Sequence, residues 1–105
     1  MSEDVMYYKE DNGEEGRYAA RFADIPEEGE ITYTHVAPGV ISANHTGVPR
    51  ARRGQGYAEV LLNHMLQDAR ENDFKIVPVC PFIAAEYARH PEWSDLFTIQ
   101  PGERL

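Results

Sequence analysis

Ala58, Leu61, Leu62, Met65, Leu66 and Ala69 recur at helical spacing and form one apolar stripe. This is the best helix in the chain, so the remaining elements must pack against it. Its start is unusual: Arg50-Ala51-Arg52-Arg53-Gly54-Gln55-Gly56 runs straight into it through Tyr57. Unbonded first-turn amides, the positive helix end and three guanidinium groups therefore converge on one place. The stretch reads as an anion site whose natural occupant is a phosphorylated ligand. Glu59 in the first turn and Arg70 in the last both suit the helix dipole, and Asn72-Asp73 ends the helix.

Strands precede it. Arg17–Phe22, Glu30–Val36 and Val40–Thr46 are rich in β-branched and aromatic types, with turns at Asp24–Gly29 and Ala37-Pro38-Gly39 between them, which predicts an antiparallel meander. Phe74–Cys80 reads as a buried strand after the helix, running parallel to the third strand. Pro78 cannot donate to a ladder, so this strand is an edge or parts from its neighbour there, and parting strands leave a cleft. Pro81 opens a further helix over Phe82–Arg89, which Pro91 stops. Residues 92–99 supply a short helical turn and a last extended piece, and Gln100–Leu105 is a polar end. Residues 1–16 are acidic and turn-rich, and we expect a mobile tail or a fraying strand there, followed by a single domain over 17–105.

Composition narrows the function classes. Residues 1–30 hold ten acids against three bases, whereas residues 31–60 hold one acid against three arginines. An acidic protein with one basic spot disfavours nucleic acid, whose binding rests on phosphate neutralisation, and suits a cationic partner instead. Cys80 is the only cysteine, so no intramolecular disulfide and no cysteine-pair metal site are expected. His35, His64 and His90 do not make a ligand set, and we expect no metal. With no membrane-length apolar run and no signal-like N-terminus, we expect a cytoplasmic protein without membrane attachment, as a monomer or homodimer.

The order of elements and several motifs resemble the Gcn5-related N-acetyltransferases, and in particular their small, single-domain YjdJ-like branch. Arg53-Gly54-Gln55-Gly56-Tyr57-Ala58 fits the family's Q/R-x-x-G-x-G/A loop. His45-Thr46-x-Val48-Pro49, Val77-Pro78-Val79-Cys80-Pro81-Phe82 and His90-Pro91 extend the likeness over roughly residues 17–97. Asn44 departs from the apolar or hydroxyl residue expected before His45-Thr46. The resemblance implies an α+β fold of three-layer type, a reduced acetyltransferase fold with splayed parallel strands. Acetyl-CoA would lie between those strands with its pyrophosphate on the amides of Arg53, Gly54, Gln55, Gly56, Tyr57 and Ala58. It further implies Val48 beside the cofactor, and Arg50 and Arg52 within reach of the ribose phosphate. The N-terminal helices of larger members have no room before the first strand, so the acceptor site is open or is completed by a partner chain.

Two side chains are candidates for the chemistry. Cys80, at a strand end and a helix N-terminus, is placed where a thiolate is favoured; it would accept the acetyl group or act as acid to the departing thiolate. Its plainer role is that of a buried structural cysteine. His45 would deprotonate the incoming amine, or simply hydrogen-bond within the sheet. Tyr87 resembles the general-acid tyrosine of larger members, although core packing explains it as well. Two readings follow: an acetyl-CoA-dependent N-acetyltransferase acting on a primary amine of a small molecule or a protein lysine, or a non-catalytic CoA-binding or interaction module.

Overall fold

The structure is a computed structural model that describes residues 4–99; residues 1–3 of the acidic segment and the polar end at 100–105 lie outside the described residues. Five strands form one mixed sheet in the order β1-β2-β3-β4-β5: β1 (Val5–Asp11), β2 (Glu15–Phe22), β3 (Glu28–Ala37), β4 (Val40–Gly47) and β5 (Lys75–Pro78). Helix α1 (Tyr57–Asn72) connects β4 to β5, and α2 (Pro81–Arg89) follows. Single 3-10 turns cover Arg50–Arg52 and Pro91–Leu96. The first four strands are antiparallel, and only β4 and β5 run parallel. The α+β architecture therefore holds, with the meander, glycine loop, central helix and parallel strand in the expected order.

The core follows from strand alternation. Tyr18, Ala20, Phe22, Ile31, Tyr33, Ile41, Ala43 and Ile76 turn one sheet face toward the Leu61, Leu62, Met65, Leu66 and Ala69 stripe of α1. Tyr33, Ile31, Leu61, Leu62, Met65, Leu66, Ile76 and Ile83 are fully buried. Fully burying such side chains contributes about 1.5–3 kcal/mol each, and the helix owes its stability to that packing more than to propensity. Asp73, in a left-handed conformation at φ 58°, closes the helix by donating its N–H to the Ala69 carbonyl.

The acidic N-terminal segment, expected as a mobile tail or a fraying strand, is a paired strand over Val5–Asp11. Val5–Asp11 pairs with β2 along its whole length, from Val5 opposite Phe22 to Asp11 opposite Gly16. Side chains lock the connecting turn: Asp11 Oδ1 accepts the Gly13 amide at 2.7 Å, and Asn12 Oδ1 accepts those of Glu14 and Glu15 at 2.9 Å. Gly13 supplies the required positive φ of 93°. Lys9, on the core side of β1, is neutralised by Asp68 of α1 at 2.7 Å. An acidic composition thus hides a hairpin whose supports lie far along the chain.

Candidate active site

The site begins with an irregularity in β4. Thr32 of β3 sits opposite His45, but the next residue, Tyr33, sits opposite Ala43, so Asn44 is an extra residue and the strand bulges. A bulge turns both of its residues to one side, and Asn44 and His45 are both exposed on the face turned away from α1. Asn44 is held there: its Oδ1 accepts the Ser42 hydroxyl at 2.9 Å and its Nδ2 donates to Thr34 Oγ1 at 2.8 Å. Thr46 lies opposite the buried Ile31 and so faces the α1 side.

On its other edge β4 pairs with β5 only from Val40 opposite Lys75 to Ala43 opposite Pro78. Pro78 has no amide to offer, and the Val79 amide turns back to the Val77 carbonyl at 3.0 Å. One last bond, from the Cys80 amide to the Ala43 carbonyl at 2.8 Å, holds the strands together before they part. Beyond it the Cys80 thiol reaches across the gap and donates to Thr46 Oγ1 at 3.3 Å. The thiol is 4% exposed and stands directly before Pro81, the first residue of α2. The parting of the strands expected from Pro78 is therefore real, and Thr46 and Cys80 face each other across it.

Next comes the loop. The Arg50–Arg52 turn is closed by the Arg52 amide on the Pro49 carbonyl at 2.8 Å. Gly54 and Gly56 take positive φ values of 78° and 90°, and a Cβ placed on either would meet open space. Within α1 the Val60 amide bonds the Gly56 carbonyl at 3.1 Å, so the first-turn amides before it have no intrahelical acceptor. The same residues border a cavity of about 400 Å³ lined by Val48, Arg53, Gly54, Gly56, Tyr57 and Ala58, together with Arg52 and Glu59. Arg50 and Arg53 are exposed, and Arg53 Nε donates to the Val48 carbonyl at 3.2 Å. Gln55 reaches back to the Ala51 carbonyl at 3.4 Å. Unbonded amides, left-handed glycines and exposed guanidinium groups fit a pyrophosphate.

Other expected site residues are not all placed as expected. Arg52 turns inward: it is 9% exposed, ion-paired with Asp24, and its guanidinium lies 5.0 Å from the centre of the Phe22 ring. His45 and Cys80 are not brought together, because successive residues point to opposite sheet faces and His45 lies opposite Thr32 while Thr46 lies opposite Ile31. Tyr87 stacks on Phe97 at 4.3 Å, a packing role. Thr46, to which the sequence assigns no role, is the side chain that faces Cys80 across the gap. Its only sequence signal was its place in the His45-Thr46 motif, since its partner Cys80 is 34 residues away. A larger cavity, about 560 Å³, lies between β1 and α1 beside the stacked Tyr7 and His64 rings. It has neither helix-start amides nor glycines, so size alone does not make it the better anion site. Among the described residues no group of His, Cys, Asp and Glu is arranged to hold a metal ion.

A family model described as GCN5-related N-acetyl-transferase matches residues 17–96. Among solved structures the chain is similar to the solution NMR structure of a GCN5-like candidate N-acetyltransferase from Staphylococcus aureus. The two are 25% identical, with a TM-score of 0.63 over 92% of this chain and 93% of that one. No curated protein matches.

Proposed function

The chain belongs to the GCN5-related N-acetyltransferases, and from that premise we propose that it moves the acetyl group of acetyl-CoA to a primary amine, of a small molecule or of a protein lysine. One observation carries this reading: among the described residues one glycine loop opens a helix, and its cavity is bordered by Val48, which directly follows the stretch of β4 that has parted from β5. A pyrophosphate on the amides around Gly54–Ala58, with Arg50 and Arg53 beside it, directs the thioester arm past Val48 toward Thr46 and Cys80.

The reaction requires the free amine to attack the thioester carbonyl carbon, so that a C–N bond forms and the C–S bond breaks. The departing thiolate then needs a proton. Cys80 bears one at the gap, held toward Thr46 Oγ1; once given to the departing thiolate, it is restored by the proton that the attacking nitrogen sheds as the amide forms. The acceptor approaches from the exposed face of β4, where His45 stands ready to take the ammonium proton. His45 and Cys80 then work from opposite sides of one gap, which explains why they do not touch. Glu28 and Glu30 offer negative charge on that same face, but Arg17 pairs with both, at 2.9 and 3.1 Å, so the attraction for a cationic acceptor is reduced.

The burial of Cys80 at 4% favours a second reading, in which the chain binds CoA without turnover. Titration with CoA and acetyl-CoA in a thermal-shift assay tests both, because ligand at 100 times its Kd stabilises by about 2.7 kcal/mol. Absence of any shift at millimolar ligand would sink both readings. Binding without thiol release across a panel of amines would leave the second alone standing.

A further inference from the structure

The end of β2 touches both flanks of the glycine loop. Arg52, before the glycines, places its guanidinium 5.0 Å from the centre of the Phe22 ring. Tyr57, after them, meets the same ring edge-on at 4.9 Å and 81°. Phe22 is 3% exposed and closes β2, and Asp24, two residues on, forms the ion pair with Arg52. Four residues, 53–56, thus span two points that are fixed to one ring. Left-handed glycines make such a span loose, and ordering it on binding would cost affinity.

We infer that Asp24, Phe22 and Arg52 clamp the loop in its ligand-ready shape, with Arg52 a positioning residue that acts through Asp24 and Phe22 and not a phosphate contact. The inference rests on the CoA reading of the loop. It departs from the expectation that Arg52 reaches the ribose phosphate. Arg52 borders the loop cavity, but its guanidinium is engaged by Asp24 and the Phe22 ring, so three neighbouring arginines do different work: Arg50 and Arg53 are exposed, while Arg52 is held between loop and sheet.

The clamp makes a prediction opposite in sign to simple electrostatics. Removing the Asp24 charge beside an anion site, and freeing an arginine there, would tighten CoA if Arg52 were a ligand. If Arg52 is a clamp, Asp24→Asn weakens CoA by about tenfold, the loss of one charge-assisted hydrogen bond. Glu59→Gln is the control for charge alone, because Glu59 lines the same cavity and its neutralisation should tighten CoA. Backbone NMR order parameters without ligand give a readout that does not depend on CoA. Those of residues 53–58 should fall from the rigid range of about 0.85 to below about 0.6 in Asp24→Asn and in Arg52→Lys, which keeps the charge but loses the planar stack, while those of β3 stay as in wild type. Unchanged loop order parameters in both variants overturn the clamp, and so does tighter CoA in Asp24→Asn. If the wild-type protein binds no CoA, the cofactor reading falls and the order parameters alone decide whether the clamp orders the loop.

Discussion

Strand β4 has two halves with different neighbours. Over Val40–Ala43 it is paired on both edges, with β3 and β5, and Ile41 and Ala43 are 2% and 0% exposed. Over Asn44–Gly47 it pairs with β3 alone, is bulged, and carries Asn44, His45, Thr46 and Gly47 at half-buried or exposed positions. A parallel pair normally stays covered on both faces with its ladder complete. Here the chain stops the ladder with a proline and gives the released edge polar side chains. The first half contributes stability, and the second forgoes ladder bonds and apolar burial to leave a place where an extended ligand can lie. The two roles are separable in one strand because the bulge at Asn44 re-aims the chain at the point where β5 ends.

The separation can be tested by substitutions on each side. Ile41→Ala in the paired half should cost about 2–5 kcal/mol in a denaturant melt while CoA affinity per folded molecule stays as in wild type; a loss of affinity larger than the loss of stability would mean the halves are not independent. Cys80→Ala should lower kcat by about a hundredfold, the lower end for a general acid, with CoA affinity kept. Acetyl retained on Cys80 in mass spectra would instead show that the group passes through the sulfur. Gly56→Val places a β-branched residue at a φ of 90°, costing about 1–2 kcal/mol in stability. Its larger signature should be in the CoA titration, because the added side chain enters the space left for ligand. Thr46→Val leaves the thiol without its acceptor and should destabilise by about 1 kcal/mol. The smallest effect belongs to the ion pairs at the start of β3. Glu28 is held at about 2, below the usual carboxylate value, first by the Tyr8 hydroxyl and then by Arg21 and Arg17. A lowered carboxylate stabilises the fold above its unfolded value and loses that contribution as pH falls toward about 2. Glu28→Gln should flatten that acid limb by less than about 1 kcal/mol, since the pairs are solvent-screened, without touching CoA binding.

The elements that could be read from the sequence were those specified locally. The α1 stripe, the Pro38-Gly39 turn and the proline in β5 each carry their signal within a few residues. Features made by pairing were hidden. β1 has the Asp11-Asn12-Gly13 turn as its local mark, but its inward Lys9 looks wrong for a core-facing strand until Asp68, 59 residues later, is seen to neutralise it. The bulge at Asn44 exists only relative to the register of β3. Arg50, Arg52 and Arg53 are equivalent in sequence, and it is the turn that carries Arg52 inward onto Phe22. The glycine loop was legible because glycines and helix starts act locally, whereas the Cys80 and Thr46 pair is a tertiary fact.

The central claim is that CoA lies along the unpaired half of β4 with its pyrophosphate on the glycine loop. Amide chemical-shift mapping during a CoA titration tests it residue by residue. The largest changes should fall on residues 53–58, with a second group at 44–48 and Cys80, while Val5–Asp11 and His64 stay unmoved. Changes centred instead on Tyr7 and His64, at the larger cavity between β1 and α1, with the loop amides still, would contradict it.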